Sequence, residues 1–141
     1  MRPGKHPLLN RARFERFLLD LTAAIRKHGG ATASLADCQL LPPADEWQFP
    51  KYPGRTVILP PEADLPDGLQ RFIADNESLL SESDCRLGAW VHPRTGEVYL
   101  DVTTSCVDLT EARRIALEVG ARDGRRVVAL YNAFREETVY L

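Results

Sequence analysis

Apolar residues recur at three- and four-residue steps through Phe14, Phe17, Leu18, Leu21, Ala24 and Ile25, which predicts an amphipathic helix over residues 11–28. Asn10 suits its N-cap, and Gly29-Gly30 suits its end, after the basic run Arg26, Lys27, His28. Residues 1–9 are polar and Pro-rich and read as a loose arm. Prolines 42, 43, 50, 53, 60 and 61 cut the next segment into short pieces. Ser34–Leu41 reads as a strand, and so does the β-branched run Arg55–Leu59. Between them, Glu46–Pro53 reads as an aromatic, Pro-rich loop, either a lid on the sheet or a contact surface.

A second helix is expected over 66–80, opened by Pro66 and carried by Leu69, Phe72, Ile73 and Leu80. The clearest element follows it. Leu87–His92 and Glu97–Thr103 alternate around Pro93-Arg94-Thr95-Gly96, a four-residue hairpin loop in which Gly96 takes the left-handed conformation. The register pairs Val91 with Val98, Trp90 with Tyr99, Ala89 with Leu100 and Gly88 with Asp101. One face is then aliphatic core, and the other carries Trp90, Tyr99, His92, Glu97 and Asp101. Asp108-Leu109-Thr110-Glu111 reads as a capping box opening a helix over 109–120, which ends near Gly120. Arg126–Tyr131 is a near-continuous apolar run, expected as a strand buried on both faces, and Thr138–Leu141 is a last short strand.

The fold class is therefore α+β: a small mixed or antiparallel sheet built on the 87–92/97–103 hairpin, with strands near 126–131 and 138–141 and about three helices. No linker divides the chain. Residues 1–141 are expected to form one compact domain, with 42–61 as a Pro-rich loop region. At 141 residues, such a domain needs no metal or disulfide to fold.

Charge narrows the functional classes. Eighteen Lys and Arg stand against twenty Asp and Glu, a net charge of -2, which argues against a generic nucleic-acid binder and against an acidic nucleic-acid mimic. No apolar run is long enough for a signal peptide or a membrane span. Cys38, Cys85 and Cys106 are scattered and odd in number, as expected of reduced thiols in a cytoplasmic protein. No zinc-ligand spacing occurs, and neither a metal nor a cofactor is expected.

The outer hairpin face is the leading candidate site, because neighbouring Trp90 and Tyr99 on a solvent-facing sheet would mark binding. The competing expectation is that the 42–61 loop or the first helix covers them. His92 beside Glu97 and Asp101 could supply an acid or base, or be an ordinary cross-strand pair at a hairpin end. Cys106 lies too far along the strand to use His92 as a base. Trp47 and Tyr52, in the aromatic loop, are the second binding candidates. Arginines 113, 114, 122, 125 and 126 could meet nucleic acid, but Glu111, Glu118 and Asp123 among them suit a solvated face.

The string Gly88-Ala89-Trp90-Val91-His92-Pro93-Arg94-Thr95-Gly96-Glu97-Val98-Tyr99-Leu100-Asp101-Val102 carries a resemblance, with Asp108-Leu109-Thr110-Glu111-Ala112 and Val127–Tyr131 after it. Over about residues 69–141 the chain resembles uncharacterised accessory proteins of bacterial, especially actinobacterial, phages and mobile elements. The resemblance implies a setting in which small proteins work by binding other proteins; it transfers no catalytic residue.

Three functions follow as expectations. The first is a non-enzymatic protein-binding module, including a homodimer through the Trp90/Tyr99 face. The second is a small enzyme or ligand binder with a pocket between the sheet and the 42–61 loop, using His92 or Asp101. The third is nucleic-acid binding through the arginines near 113–126.

Overall fold

The computed structural model describes residues 7–141. The chain runs α1 (Pro7–His28), β1 (Gly30–Ser34), β2 (Gln39–Leu40), β3 (Trp47–Pro50), a 3-10 turn at Pro53–Arg55, β4 (Val57–Leu59), α2 (Leu65–Asp75), α3 (Glu77–Leu80), β5 (Arg86–Val91), β6 (Val98–Cys106), α4 (Leu109–Asp123), β7 (Ala129–Asn132) and β8 (Glu137–Tyr140). The class is α+β, as the hydrophobic pattern indicates. The sheet is larger than expected: eight strands, all pairings antiparallel, in the order β2-β1-β5-β6-β3-β7-β8 with β4 also on β6.

The hairpin register is as read from the sequence. Trp90 pairs with Tyr99 and Gly88 with Asp101, and Gly96 adopts φ +75° in the loop. Its aliphatic face, Leu87, Ala89, Val98, Leu100 and Val102, packs beneath Phe17, Leu21 and Ile25 of α1 and Leu69 and Phe72 of α2. A second core lies farther along β6, on the same sheet face as Leu100 and Val102. There Trp47 and Phe49 of β3 meet Ala112, Ala116 and Val119 of α4, with Val127 and Leu130.

Several boundaries differ from the sequence reading, each for a local reason. Residues 7–9, assigned to the arm, begin α1, so Asn10 lies inside the helix; residues 1–6 lie outside the described residues. Ser34–Leu41 is not one strand: it holds the end of β1, a turn over 35–38 and β2, with Ala33 paired to Leu40 and Ser34 to Gln39. The expected aromatic loop contains β3, which pairs along β6 from Trp47↔Cys106 to Pro50↔Thr103. Pro50 closes that strand, where a missing N–H costs least. The 66–80 helix breaks at Asn76, whose buried amide bonds back to Phe72 O at 2.9 Å. α4 runs past Gly120 to a left-handed cap at Gly124, φ +64°. Asp108 caps α4 through Glu111 N at 2.9 Å, but the Glu111 carboxylate turns to Arg114 instead of closing the box. The 126–131 run is not buried on both faces: Val127 and Leu130 are buried while Val128 is exposed.

The sheet curls on itself. β8 stands four strands from β5 in sheet order, yet the Tyr140 ring lies 6.5 Å from the Trp90 ring. The curl originates at β6. One edge of β6 is paired by β5, while the other is shared between β4 (Val57↔Leu100) and β3 (Pro50↔Thr103). The chain leaves β6 between those two partners, and Asp101 sits beside that fork.

Candidate functional site

The outer face of the hairpin becomes the inner wall of the curl. A cavity of about 100 Å³ lies against it, several times what one water needs. Gly88, Trp90, Tyr99, Asp101 and Thr103 form the hairpin wall. Thr56 and Ile58 come from the fork, and Arg125–Ala129 and Tyr131 from the opposite side. The expected cover is thus partly right: residues 48–58 contribute, but the segment after α4 and Tyr140 complete it, while α1 covers the other face. Trp90 remains half-buried, neither sealed in the core nor fully open.

Polar groups converge on this space. Thr56 Oγ1 donates to Asp101 Oδ1 at 2.6 Å, and Arg125 Nη1 donates to Thr56 O at 2.6 Å. One residue therefore holds a carboxylate on one side and a guanidinium on the other. Burial pushes the Asp101 carboxyl up to about 6, against the Thr56 hydrogen bond and the Arg125 charge, which both favour the ionised form. Protein packs closely around the group, yet it keeps some solvent contact through the cavity, which tempers the effect. Thr103 is 5 % exposed, and its hydroxyl makes no hydrogen bond within the described chain. No enclosed side-chain N or O among the described residues lacks a partner, so this hydroxyl and Asp101 Oδ2 keep accessible surface, and both residues line the cavity. Gly88 makes the room: a Cβ there would stand 2.3 Å from Thr103 Oγ1.

The other candidate residues fall elsewhere. His92 caps its own turn, its Nδ1 accepting from Arg94 N at 3.2 Å, and its ring packs tilted against Trp90, centroids 5.2 Å apart, outside the cavity wall. Trp47 is buried under α4 and offers no contact surface. Tyr52 lies in a separate polar cluster, donating to Glu82 Oε1 at 2.7 Å and packing 5.1 Å from the Arg122 guanidinium. Glu82, Asp84 and Cys85 could in principle ligate a metal, but Lys51 Nζ already bridges both carboxylates at 2.8 and 2.9 Å. Burial pushes the Cys85 thiol up to about 11, the opposite of an activated nucleophile. Among the arginines, Arg114 pairs with Glu111 and Glu118, Arg122 with Asp123 and Lys51 O, and Arg126 reaches Leu141 O.

Sequence reasoning missed Thr56, Thr103 and Arg125 as members of the site. The alternation already placed Thr103 on the Asp101 face, but nothing local brings Arg125 to it.

No protein-family model, no curated protein and no solved structure matches this chain. The class that its own geometry defines is an α+β protein whose curled antiparallel sheet encloses a small aromatic and polar cavity. No helix among the described residues is long and apolar enough to cross a membrane.

Proposed function

We propose that this chain is a cytoplasmic, non-enzymatic protein-binding module that engages its partner at the mouth of the concave cavity. The observation carrying this reading is the apolar rim. Ile58 and Val128 line the cavity yet are 39 % and 38 % exposed, and Tyr140, beside Trp90, is 48 % exposed. Apolar side chains left in water around an aromatic pocket match the way partners anchor, with a central residue desolvated inside a ring of contacts. The cavity wall includes no Cys or His, so the usual nucleophile-and-base pair is absent from it among the described residues. The resemblance of residues 69–141 to phage and mobile-element accessory proteins fits the same reading. The free thiols Cys38, Cys85 and Cys106 suit a reducing compartment.

A second reading is favoured by one observation. Asp101, with a carboxyl near neutrality and a hydroxyl within reach, has the properties of a proton-transferring group in a small enzyme. The nucleic-acid reading has less support, since most of the arginines near 113–126 are engaged within the chain.

The test is capture from lysate, identification and purification of the captured protein, and calorimetric titration with the wild type and Ile58→Asp. Binding lost in the variant supports docking at the rim. Equal affinity in both proteins sinks it. Self-association abolished by the same substitution in light scattering would identify a second copy as the occupant.

A further inference from the structure

We propose that the group this cavity accepts is a neutral carboxamide, the side chain of an asparagine or glutamine on the protein partner; the inference rests on the docking reading above. Asp101 and Arg125 flank Thr56, one on its hydroxyl and one on its carbonyl, so the cavity presents both signs within a single residue's span. A ligand bearing one full charge would match one group and oppose the other, and would lose its hydration on entering. A neutral group with an N–H donor beside a C=O acceptor satisfies both.

The unspent hydrogen-bonding capacity has that same pattern. Asp101 Oδ2 is an open acceptor, because Thr56 occupies only Oδ1. Arg125 spends Nη1 on Thr56 O and has further N–H groups to give. Thr103, more than nine-tenths buried, aims an unpartnered hydroxyl into the space that Gly88 leaves. That hydroxyl is not sealed from solvent, so it is free to pair with a ligand in the cavity. Trp90, Tyr99 and Tyr131 supply aromatic surface, against which a flat carboxamide packs better than a tetrahedral ammonium. Arg126 also borders the cavity but is held at Leu141 O, so it does not add a second positive charge inside.

The probes are capped amino acids. The full chain, isotope-labelled, is titrated by NMR with N-acetyl-glutamine methylamide and, separately, with the glutamate and lysine analogues and with uridine. The glutamine compound is expected to shift Gly88, the Trp90 indole and Thr103, with dissociation constants in the millimolar range. Thr103→Val and Arg125→Gln, each first shown to keep the wild-type amide spectrum away from the cavity, are expected to weaken it about tenfold each, the usual effect of one hydrogen bond lost at a buried site. A glutamate or lysine analogue that binds more tightly overturns the proposal. So does uridine shifting these residues when the glutamine compound does not, or no probe shifting them at all. If no probe binds while Ile58→Asp still disrupts the partner complex, the carboxamide inference falls and the docking reading stands. If the glutamine compound binds as expected and the complex ignores Ile58→Asp, the docking reading falls and the cavity's ligand class stands.

Discussion

Thr56 Oγ1 and Asp101 Oδ1 lie 2.6 Å apart, joining the fork in the sheet to the middle of its longest strand. The contact leaves the rest of the carboxyl facing a confined space, and burial outweighs the hydrogen bond, so the group titrates near 6 rather than near 3.8. The folded state therefore holds a proton that the unfolded chain has released, and stability contributed by this group falls as pH rises from about 4 through 6. Ionised Asp101 should cost on the order of 2 kcal/mol above pH 7, once its open side is allowed for. Asp101→Asn should then be more stable than wild type above pH 7, and the gap should close towards pH 4. Urea midpoints for both proteins across that range measure it. A gap that stays constant with pH would contradict the assignment.

Gly88 is directly opposite Asp101 in the hairpin, and a methyl group there would meet Thr103 Oγ1 at 2.3 Å. Gly88→Ala should destabilise by about 1–3 kcal/mol through overpacking. Adding Thr103→Ala should recover part of the loss, because it removes the closest atom while the Cβ of residue 103, 2.9 Å away, remains. Denaturant melts of the single and double variants give the comparison, and a loss that Thr103→Ala leaves untouched would place the strain elsewhere.

Tyr140 closes the curl against Trp90, its ring 6.5 Å away at 62°. Tyr140→Ala should cost about 1 kcal/mol, in the range for an aromatic pair. It should also shift Trp90 emission to longer wavelength, since the half-buried indole gains solvent. Trp47, buried under α4, should contribute an unchanged blue component. An unaltered spectrum would mean that β8 does not cover Trp90 in solution.

Lys51 holds Glu82 and Asp84 together at 2.8 and 2.9 Å, and its hydrogen bonds keep both carboxyls below their ordinary values. Such a group contributes stability above its unfolded pKa, and that contribution is lost as pH falls through the lower, folded value. Lys51→Met should therefore lower the thermal midpoint at pH 7 and change it little at pH 3. Adding Glu82→Gln should recover part of the loss at neutral pH, because one of the two stranded charges is gone. A deficit independent of pH would point to lost packing of the lysine stem instead.

The hairpin was legible because three local signals agree: alternation through Leu87–Val91, alternation through Val98–Val102, and a turn whose Gly96 accepts positive φ. β3 was not, because Pro43 precedes it, Pro50 ends it and Pro53 follows, and prolines read as loop; the strand exists because the long edge of β6 supplies its partners. The Trp90/Tyr99/Asp101 face was identified from alternation alone, but its concavity was not. Curvature is set by β3 and β4 sharing one edge of β6, a non-local arrangement without a sequence period. Arg125 read as a surface charge among others near the end of α4. Only the path after Gly124 carries it to Thr56, 69 residues away.

Docking at the cavity mouth is tested most directly by the surface that a captured partner touches. Amide and indole chemical shifts of the labelled chain, recorded with and without the purified partner, locate that surface. The largest changes should fall on Gly88, Trp90, Tyr99, Thr103, Arg125 and Val128, around the cavity and its rim. Changes concentrated on the outer faces of α1 or α4, with those six residues unmoved, would contradict it.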